Sequence, residues 1–465
     1  MSTELEQTRD RLLRKLNFEV LKRLNPYDAY YEGEQALRFL APALQAELGE
    51  RLTELVINIA RDGVSSFDER LDVLGFRYPG ASKEDDPLWN NWLHNDMDLL
   101  SQQVHQESLA LGRAYMIVGA GDDPEFPLIT AESAFDTIHE DDPRTHDIRN
   151  GIHRWTELDG TRWITLYTPD GRLTWWRPKK AGDWKVDSDE AYDVALPRLV
   201  PFLNQPRLLG RMRAGKADQR LGRSEFHDII PIIDAINKMA TDMMISGEFH
   251  AMPRRWAFGL KAEDFVDKDD NPINAWAMAA GKLWANEDKD IKVGQFAEAD
   301  LKNFRDTVKL LIQIAGQLLA LPGYYNSFET INPPSADSIR SSESRLVKRA
   351  ERKQSFLGNR HGRVQRLVLL LKKGKDEVKA QEIETLWRSA STPTKAQEAD
   401  AVTKLVTTKD GRGRSIVPVE QAREDLGYTP EQRKRMSDMD AAEDPQIAAA
   451  MKSLEAAGAN ASSGN

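Results

Sequence analysis

Apolar positions along the chain follow the helical period over most of its length and the strand period in one stretch before its middle. Residues 1–60 read as helical: NPYDAYYEGEQALRFL supplies a turn and an aromatic cluster, and Leu48, Leu52, Leu55 and Ile59 then fall at helical spacing. A further helix is predicted around Trp89 to Leu111, leading into a short strand at Ala114 to Val118. From Ile152 to Leu203 the texture changes to HRWTEL, TRWITLYTP and RLTWWRP, aromatic and β-branched runs parted by Asp159-Gly160 and Asp170-Gly171. Asp-Gly pairs suit tight hairpin turns, so an antiparallel meander is predicted. Pro201 cannot donate to a ladder, so LVPFL (Leu199 to Leu203), if a strand, belongs at an edge.

The segment Gly222 to Met244, GRSEFHDIIPIIDAINKMATDMM, predicts a long helix starting at the N-cap Ser224 and running to about Phe249. Phe226, Ile229, Ile230, Ile233, Ile236, Ala240, Met243 and Met244 make one stripe, with Ile232 and Met239 beside it. That face is too wide for one packing contact, while Asp234, Lys238 and Asp242, spaced i, i+4, suggest a solvated strip with two ion pairs. Pro231 is a candidate kink. Pro253 to Ala299 is a mixed excursion; Lys261 to Asp300 holds ten acids against five bases. A second long helix from near Asp300 places Leu301, Phe304, Val308, Leu311, Ala315 and Leu318 on a seam before Pro322-Gly323 stops it. A third helix spans about Ala336 to Leu371; Ser335 to Lys375 carries twelve Lys or Arg against three acids, the one strongly basic block. After Trp387 two small helices and a tail with Ala, then Ser, Gly and Asn, close the chain. The fold class is α+β, mainly helical.

With 465 residues, 40% hydrophobic and 30% charged, the chain is long enough for two to four regions and fits an ordered, soluble protein. There is no cysteine, which excludes disulfides, thiolate metal sites and cysteine nucleophiles. The charged N-terminus lacks the apolar core of a secretory signal, so synthesis in a cytoplasm is expected. The most apolar run, Leu310 to Leu321, is too short and too polar to span a bilayer. A net charge of −10 argues against a surface that grips nucleic acid throughout.

Catalytic chemistry is hard to find. GRMRAGKA (Gly210 to Ala217) has the spacing of a phosphate-binding loop, but Ala217 stands where a Ser or Thr would hold magnesium. His139, Asp141, Asp142, His146, Asp147 and His153 cluster without a recognised metal-ligand spacing, and a solvated loop explains them. DKDDNPINAWAM resembles the start of a calcium loop, but Pro272 replaces the needed Gly and Met278 the bidentate Glu. No G-x-S-x-G elbow is present. No catalytic residue, metal site or cofactor is expected.

Several blocks in order nonetheless resemble the portal proteins of tailed bacteriophages, in particular those of actinobacterial phages. They are NPYDAYYEGEQALRFL, VINIARDGVSSFDERLDVLGFR, WNNWL with ESLALGRAYMIV, PRLVPFLNQPR, and GRSEFHDIIPIIDAINKMATDMMISGEFHAMPRRWAFG, and the likeness covers most of residues 26–430. The resemblance implies a non-enzymatic ring, usually of about twelve subunits, at one capsid vertex, through which double-stranded DNA is packed and ejected. It implies an N-terminal arm and α+β wing over residues 1–223, a first stem helix over 224–250, a clip over 251–298 and a second stem helix over 299–321. A tunnel loop over 322–335, a long wing helix and return over 336–394, a crown over 395–440 and a flexible tail over 441–465 complete that plan. Gly323, Tyr324, Tyr325, Asn326, Ser327 and Phe328 would then face DNA, and Ile229, Ile233, Ile236, Met239, Met243, Leu311 and Leu318 would pack between stems. Implied partners are other copies of the chain, the terminase large subunit, the major capsid protein, scaffold and head-tail adaptor, with no membrane. The place would be the virion, after assembly in the host cytoplasm. Two alternatives are a nucleic-acid-processing enzyme with an unrecognised carboxylate site and another head or tail structural protein.

Overall fold

Leu12 and Leu16, one turn apart on helix α1 (Ser2–Glu19), are buried against a sheet core of Ile138, Ile152, Ile164, Leu166, Leu173 and Trp175. The computed structural model describes residues 2–36, 55–79, 86–179, 182–192, 196–208, 219–251, 255–258, 292–295, 301–326, 336–374, 383–391 and 395–443. The chain divides into two compact units: Met1–Glu34, Ala60–Asp228 and Leu319–Asn465 form the larger, Gln35–Ile59 and Ile229–Leu318 the smaller.

In the larger unit, α1 runs through a π-helical turn, Val20–Leu24, into α2 (Asn25–Glu32). The turn expected at NPYDAYY is therefore helix. Pro26 sits in the first turn of α2, where its missing N–H is tolerated, and the wider π turn absorbs the lost bond before it. Leu48 and Leu52 lie outside the described residues; the next helix, α3 (Ile59–Asp68), precedes strand β1 (Val73–Arg77). The helix expected from Trp89 to Leu111 is two, α4 (Asp86–His94) and α5 (Met97–Leu111), parted where Asp96 takes a left-handed φ of 52°.

Strand β2 (Arg113–Gly119) lies between β3 (Leu128–Glu132) and β9 (Leu199–Leu203), so LVPFL is an edge strand, as Pro201 requires. It pairs with β2 rather than joining the meander. The meander has five antiparallel strands in order: β4 (Thr137–Asp141), β5 (Ile148–Thr156), β6 (Arg162–Thr168), β7 (Gly171–Arg177) and β8 (Lys185–Ala191). β8, KVDSDEA, is a mostly exposed edge whose polar sequence shows no apolar alternation. On the face away from α1, Trp155 pairs with Trp163 and Trp163 with Trp176 across the strands; the first two rings stack at 5.7 Å.

The smaller unit holds α6 (Ile230–Ala251), the paired strands β10 (Arg255–Phe258) and β11 (Lys292–Gln295), and most of α7 (Lys302–Leu319). The rest of the excursion from 251 to 298 lies outside the described residues. A Cβ built on Gly247 would meet Leu301 at 3.9 Å, which brings the end of α6 beside the approach to α7. The α-helix begins at Ile230 and not at Ser224; a 3-10 turn, His227–Ile229, precedes it. Pro231 thus stands in the first turn, where its fixed φ helps and no hydrogen bond is lost, so it ends the 3-10 turn and starts the helix rather than kinking it.

Two side-chain expectations change. Asp234 is buried, so the charged strip on α6 reduces to Lys238 and Asp242, paired at 2.7 Å. On α7 the buried positions are Ile312, Ala315 and Leu319, while Leu318 is 47% exposed and shares its face with exposed Leu310 and Ile314. Of the expected seam, Ala315 is buried and Leu301, Phe304, Val308 and Leu311 are half-buried, so the buried line departs from it at the end of the helix, where Leu319 replaces Leu318.

Back in the larger unit, the 38-residue α8 (Ala336–Lys373) packs on β2, β9 and β12 (Glu384–Trp387), and β12 pairs with β1. Among the described residues three small helices follow where two were expected: α9 (Lys395–Thr407), α10 (Val419–Asp425) and α11 (Pro430–Glu443). Gly427, at φ 75°, separates the last two.

Candidate functional site

Helix α8 takes part in two polar nodes, one buried and one partly exposed, both within the larger unit. The first is Glu225, in the segment just before α6. Its carboxylate accepts from Lys353 Nζ at 2.6 Å, Gln205 Nε2 at 2.9 Å and Asn204 Nδ2 at 3.1 Å, and also from the Arg349 guanidinium. Burial opposes its charge, but Lys353 and Arg349 outweigh burial and hold the carboxyl down at about 2. Both cations also lie over the Phe67 ring of α3. A tight backbone crossing supports the node: Asn204 N donates to Gly112 O and Arg223 N to Asn204 O, each at 2.9 Å. Gly112 (φ +90°) and Gly222 (φ +77°) permit it, since a Cβ on Gly112 would lie 2.7 Å from the Arg223 backbone.

The second node lies just after α7, at the 3-10 turn Gly323–Asn326. Tyr324 donates its hydroxyl to the Glu343 carboxylate of α8, and Arg70 Nη2 donates to Tyr325 Oη at 3.1 Å. Arg70 and Glu343 themselves approach to 3.8 Å, both nearly sealed from solvent. The tyrosine rings pack edge to face at 5.0 Å. Burial and then the Glu343 carboxylate push the Tyr324 hydroxyl up, so it stays protonated and donating. A Cβ on Gly63 would strike Leu319 at 2.7 Å, so α3 also closes against this junction.

Among the residues expected at functional positions, Gly323, Tyr324 and Tyr325 are exposed yet adjoin this node; the Asn326 backbone closes the turn. Ser327 and Phe328 lie outside the described residues. Ile229, Ile233 and Ile236 are buried within the single chain, Met239, Met243 and Leu311 are half-buried, and Leu318 is exposed. Neither node was singled out in the sequence. Glu225 adjoins the Ser224 cap, and Arg349 and Lys353 sit one turn apart, but only the fold brings them together.

The loop GRMRAGKA and DKDDNPINAWAM lie outside the described residues. In the histidine and aspartate cluster, His139 Nδ1 is paired with Tyr115 Oη at 3.0 Å and His153 Nδ1 with Thr137 Oγ1 at 3.0 Å, which assigns both to packing of the sheet. Among the described residues no group of three or more His, Cys, Asp or Glu is arranged to hold a metal ion, and no helix is long and apolar enough to cross a membrane.

Comparison with known proteins adds direct relatives. The sequence profile of the family described as phage portal protein, SPP1 Gp6-like, matches residues 14–432. The portal protein of Mycobacterium phage D29 is 30% identical over 419 residues, covering 88% of this chain and 83% of that protein. That of Mycobacterium phage L5 is 29% identical over the same span. Among solved structures, a chain from the virion of a native gene transfer agent particle aligns over 89% of this chain and 99% of its own, at 11% identity and a TM-score of 0.44.

Proposed function

This chain belongs to the phage portal protein family, SPP1 Gp6-like, and is a virion structural protein; on that premise we propose that it closes into a ring, of about twelve copies, that conducts double-stranded DNA. The exposed apolar face of α7, Leu310, Ile314 and Leu318, is the observation that carries the ring. The opposite face of the same helix is already buried, so this helix has apolar surface for a neighbour as well as for its own subunit. A head-to-tail contact of that kind closes when the rotation between copies divides the circle. Ile229, Ile233 and Ile236 have no surface left to give a neighbour, so we assign the inter-subunit role to the exposed face of α7 and to Met244 on α6.

In this reading α6 and α7 are the stem, the excursion between them is the clip, and α1 to β9 are the wing. The turn at Tyr324 and Tyr325 opens the tunnel loop. The packaging motor and the head-tail adaptors dock on the assembled ring, which contributes no catalysis of its own. The two polar nodes tie the segments just before α6 and just after α7 to α8.

Electron microscopy of the purified full chain tests the ring. Annular particles with a central hole, lost in L310D/I314D while circular dichroism is unchanged, are the expected result. Monodisperse monomers from the wild-type chain at micromolar concentration would sink it.

A further inference from the structure

Arg360, Arg363 and Arg366 recur every third residue along α8 and line one cavity of about 620 Å³, with Asp147, Asn359, Leu196 and Glu384 on its walls. Three guanidiniums in a single concavity call for counter-charge, and the described residues supply little. Glu384 is already taken by Arg77 at 2.9 Å. Asp141 and Asp147 both attract Arg360 and Arg363 from a distance, but among the described residues no hydrogen bond or ion pair joins any of the three arginines to a carboxylate. The Arg366 Nε is shut off from solvent with no hydrogen-bond partner among the described residues. Burial pushes the Arg360 and Arg363 guanidiniums down, yet arginine stays charged in proteins. The Arg360 guanidinium lies over the Phe356 ring at 5.1 Å, and clustered, partly desolvated cations still cost stability unless an anion joins them.

We propose that this cavity is a binding site for a small phosphate-class oxyanion, held by the guanidiniums of Arg360, Arg363 and Arg366. Planar forks of N–H donors match the oxygen geometry of phosphate and bind it through paired, charge-assisted hydrogen bonds. The volume falls within the range of small-molecule sites and exceeds a single phosphate, so a diphosphate fits the class better than a lone ion. Asp147 on the rim limits affinity through repulsion. Because duplex DNA is a wide rod and the arginines sit in a concavity, the anion is a free one and not a DNA backbone. The site stands whether or not the chain forms a ring.

The test is thermal unfolding and isothermal titration of the full chain with sodium pyrophosphate at fixed ionic strength. Wild-type protein is expected to show a saturable rise in Tm, with sodium chloride at matched ionic strength giving none. R363Q/R366Q should weaken binding at least about tenfold while keeping the unliganded Tm at or above wild type. R363K, which keeps the charge but loses the fork, should weaken it by a smaller factor and covers the case in which the double variant fails to fold. D147N should tighten binding by about threefold. An unsaturable response, or equal affinity in wild type and R363K, overturns the site. Displacement of pyrophosphate by a short DNA duplex at equal phosphate concentration overturns the free anion as its occupant.

Discussion

Glu225 carries more of the fold than its single charge suggests, because two cations and two amides converge on a carboxylate with no access to water. Its folded pKa of about 2 lies below the ordinary value of 4.5, so it contributes stability that is present above about 4.5 and is lost as pH falls toward 2. A shift of that size corresponds to about 3 kcal/mol. E225Q should therefore lower stability near neutral pH by roughly that amount, and flatten the loss between pH 4.5 and 2, in urea titrations at several pH values. The buried imidazoles of His105 and His361 act in a different window. Their Nε2 atoms meet at 2.8 Å beneath the rings of Trp92 and Trp387. Burial holds His105 down at about 3 and His361 well below its usual value, so both stay neutral in the fold. The unfolded chain binds these protons more readily, and stability should fall as pH drops below about 6.5. Replacing His361 with leucine should remove only its own share of that loss, leaving the His105 share, and the change should be clearest between pH 6.5 and 4.5, above the range in which Glu225 titrates. At Gly112 the expectation is steric: G112A forces a Cβ into the Arg223 backbone at a left-handed φ and should cost more than about 1 kcal/mol in thermal melts.

At the scale of elements, the exposed face of α7 and the buried face of α6 predict opposite failures. Asp at Leu310 or Ile314 enters a face that is exposed in the single chain, so the subunit should fold and fail only to associate. Asp at Ile236, which has no exposed surface, buries an unpaired charge and should destabilise the subunit by several kcal/mol, seen as a lower denaturation midpoint before any assembly assay. The same elements mark how far sequence reading carries. The meander was legible because aromatic runs alternate with Asp-Gly turns, and the edge position of LVPFL because Pro201 lacks a donor. β8 was not, since a polar edge strand has no buried side to reveal its period. The seam on α7 was legible from Leu301 to Ala315 but not at its end, where leucine occupies both Leu318 and Leu319 and only packing decides which is buried. Asp234 was assigned to water from its spacing with Lys238, but spacing says which residues share a face and not what covers that face. The nodes at Glu225 and Tyr324 depend on contacts over more than a hundred and about twenty residues respectively, which no local pattern encodes.

For the whole molecule, the proposed DNA duct has to be reconciled with so basic a helix. Twelve Lys or Arg fall between Ser335 and Lys375, yet much of that charge is already committed within the subunit. Arg349 and Lys353 are spent on Glu225, Lys348 pairs with Glu351, and Arg360, Arg363 and Arg366 turn into a cavity. The net charge of the whole chain is −10, and the proposed ring would multiply that figure. In the proposed ring, phosphates would then meet repulsion rather than a row of cations, which suits a duct through which DNA slides. Purified rings should accordingly fail to retard a short linear duplex in gel-shift or anisotropy measurements at about 0.15 M salt, with any Kd weaker than roughly 10 μM, the regime of nonspecific contact. A Kd below about 1 μM that weakens steeply with added salt would mean that several cations of α8 reach the DNA backbone, and the helix would then belong to the channel surface and not to the frame behind it.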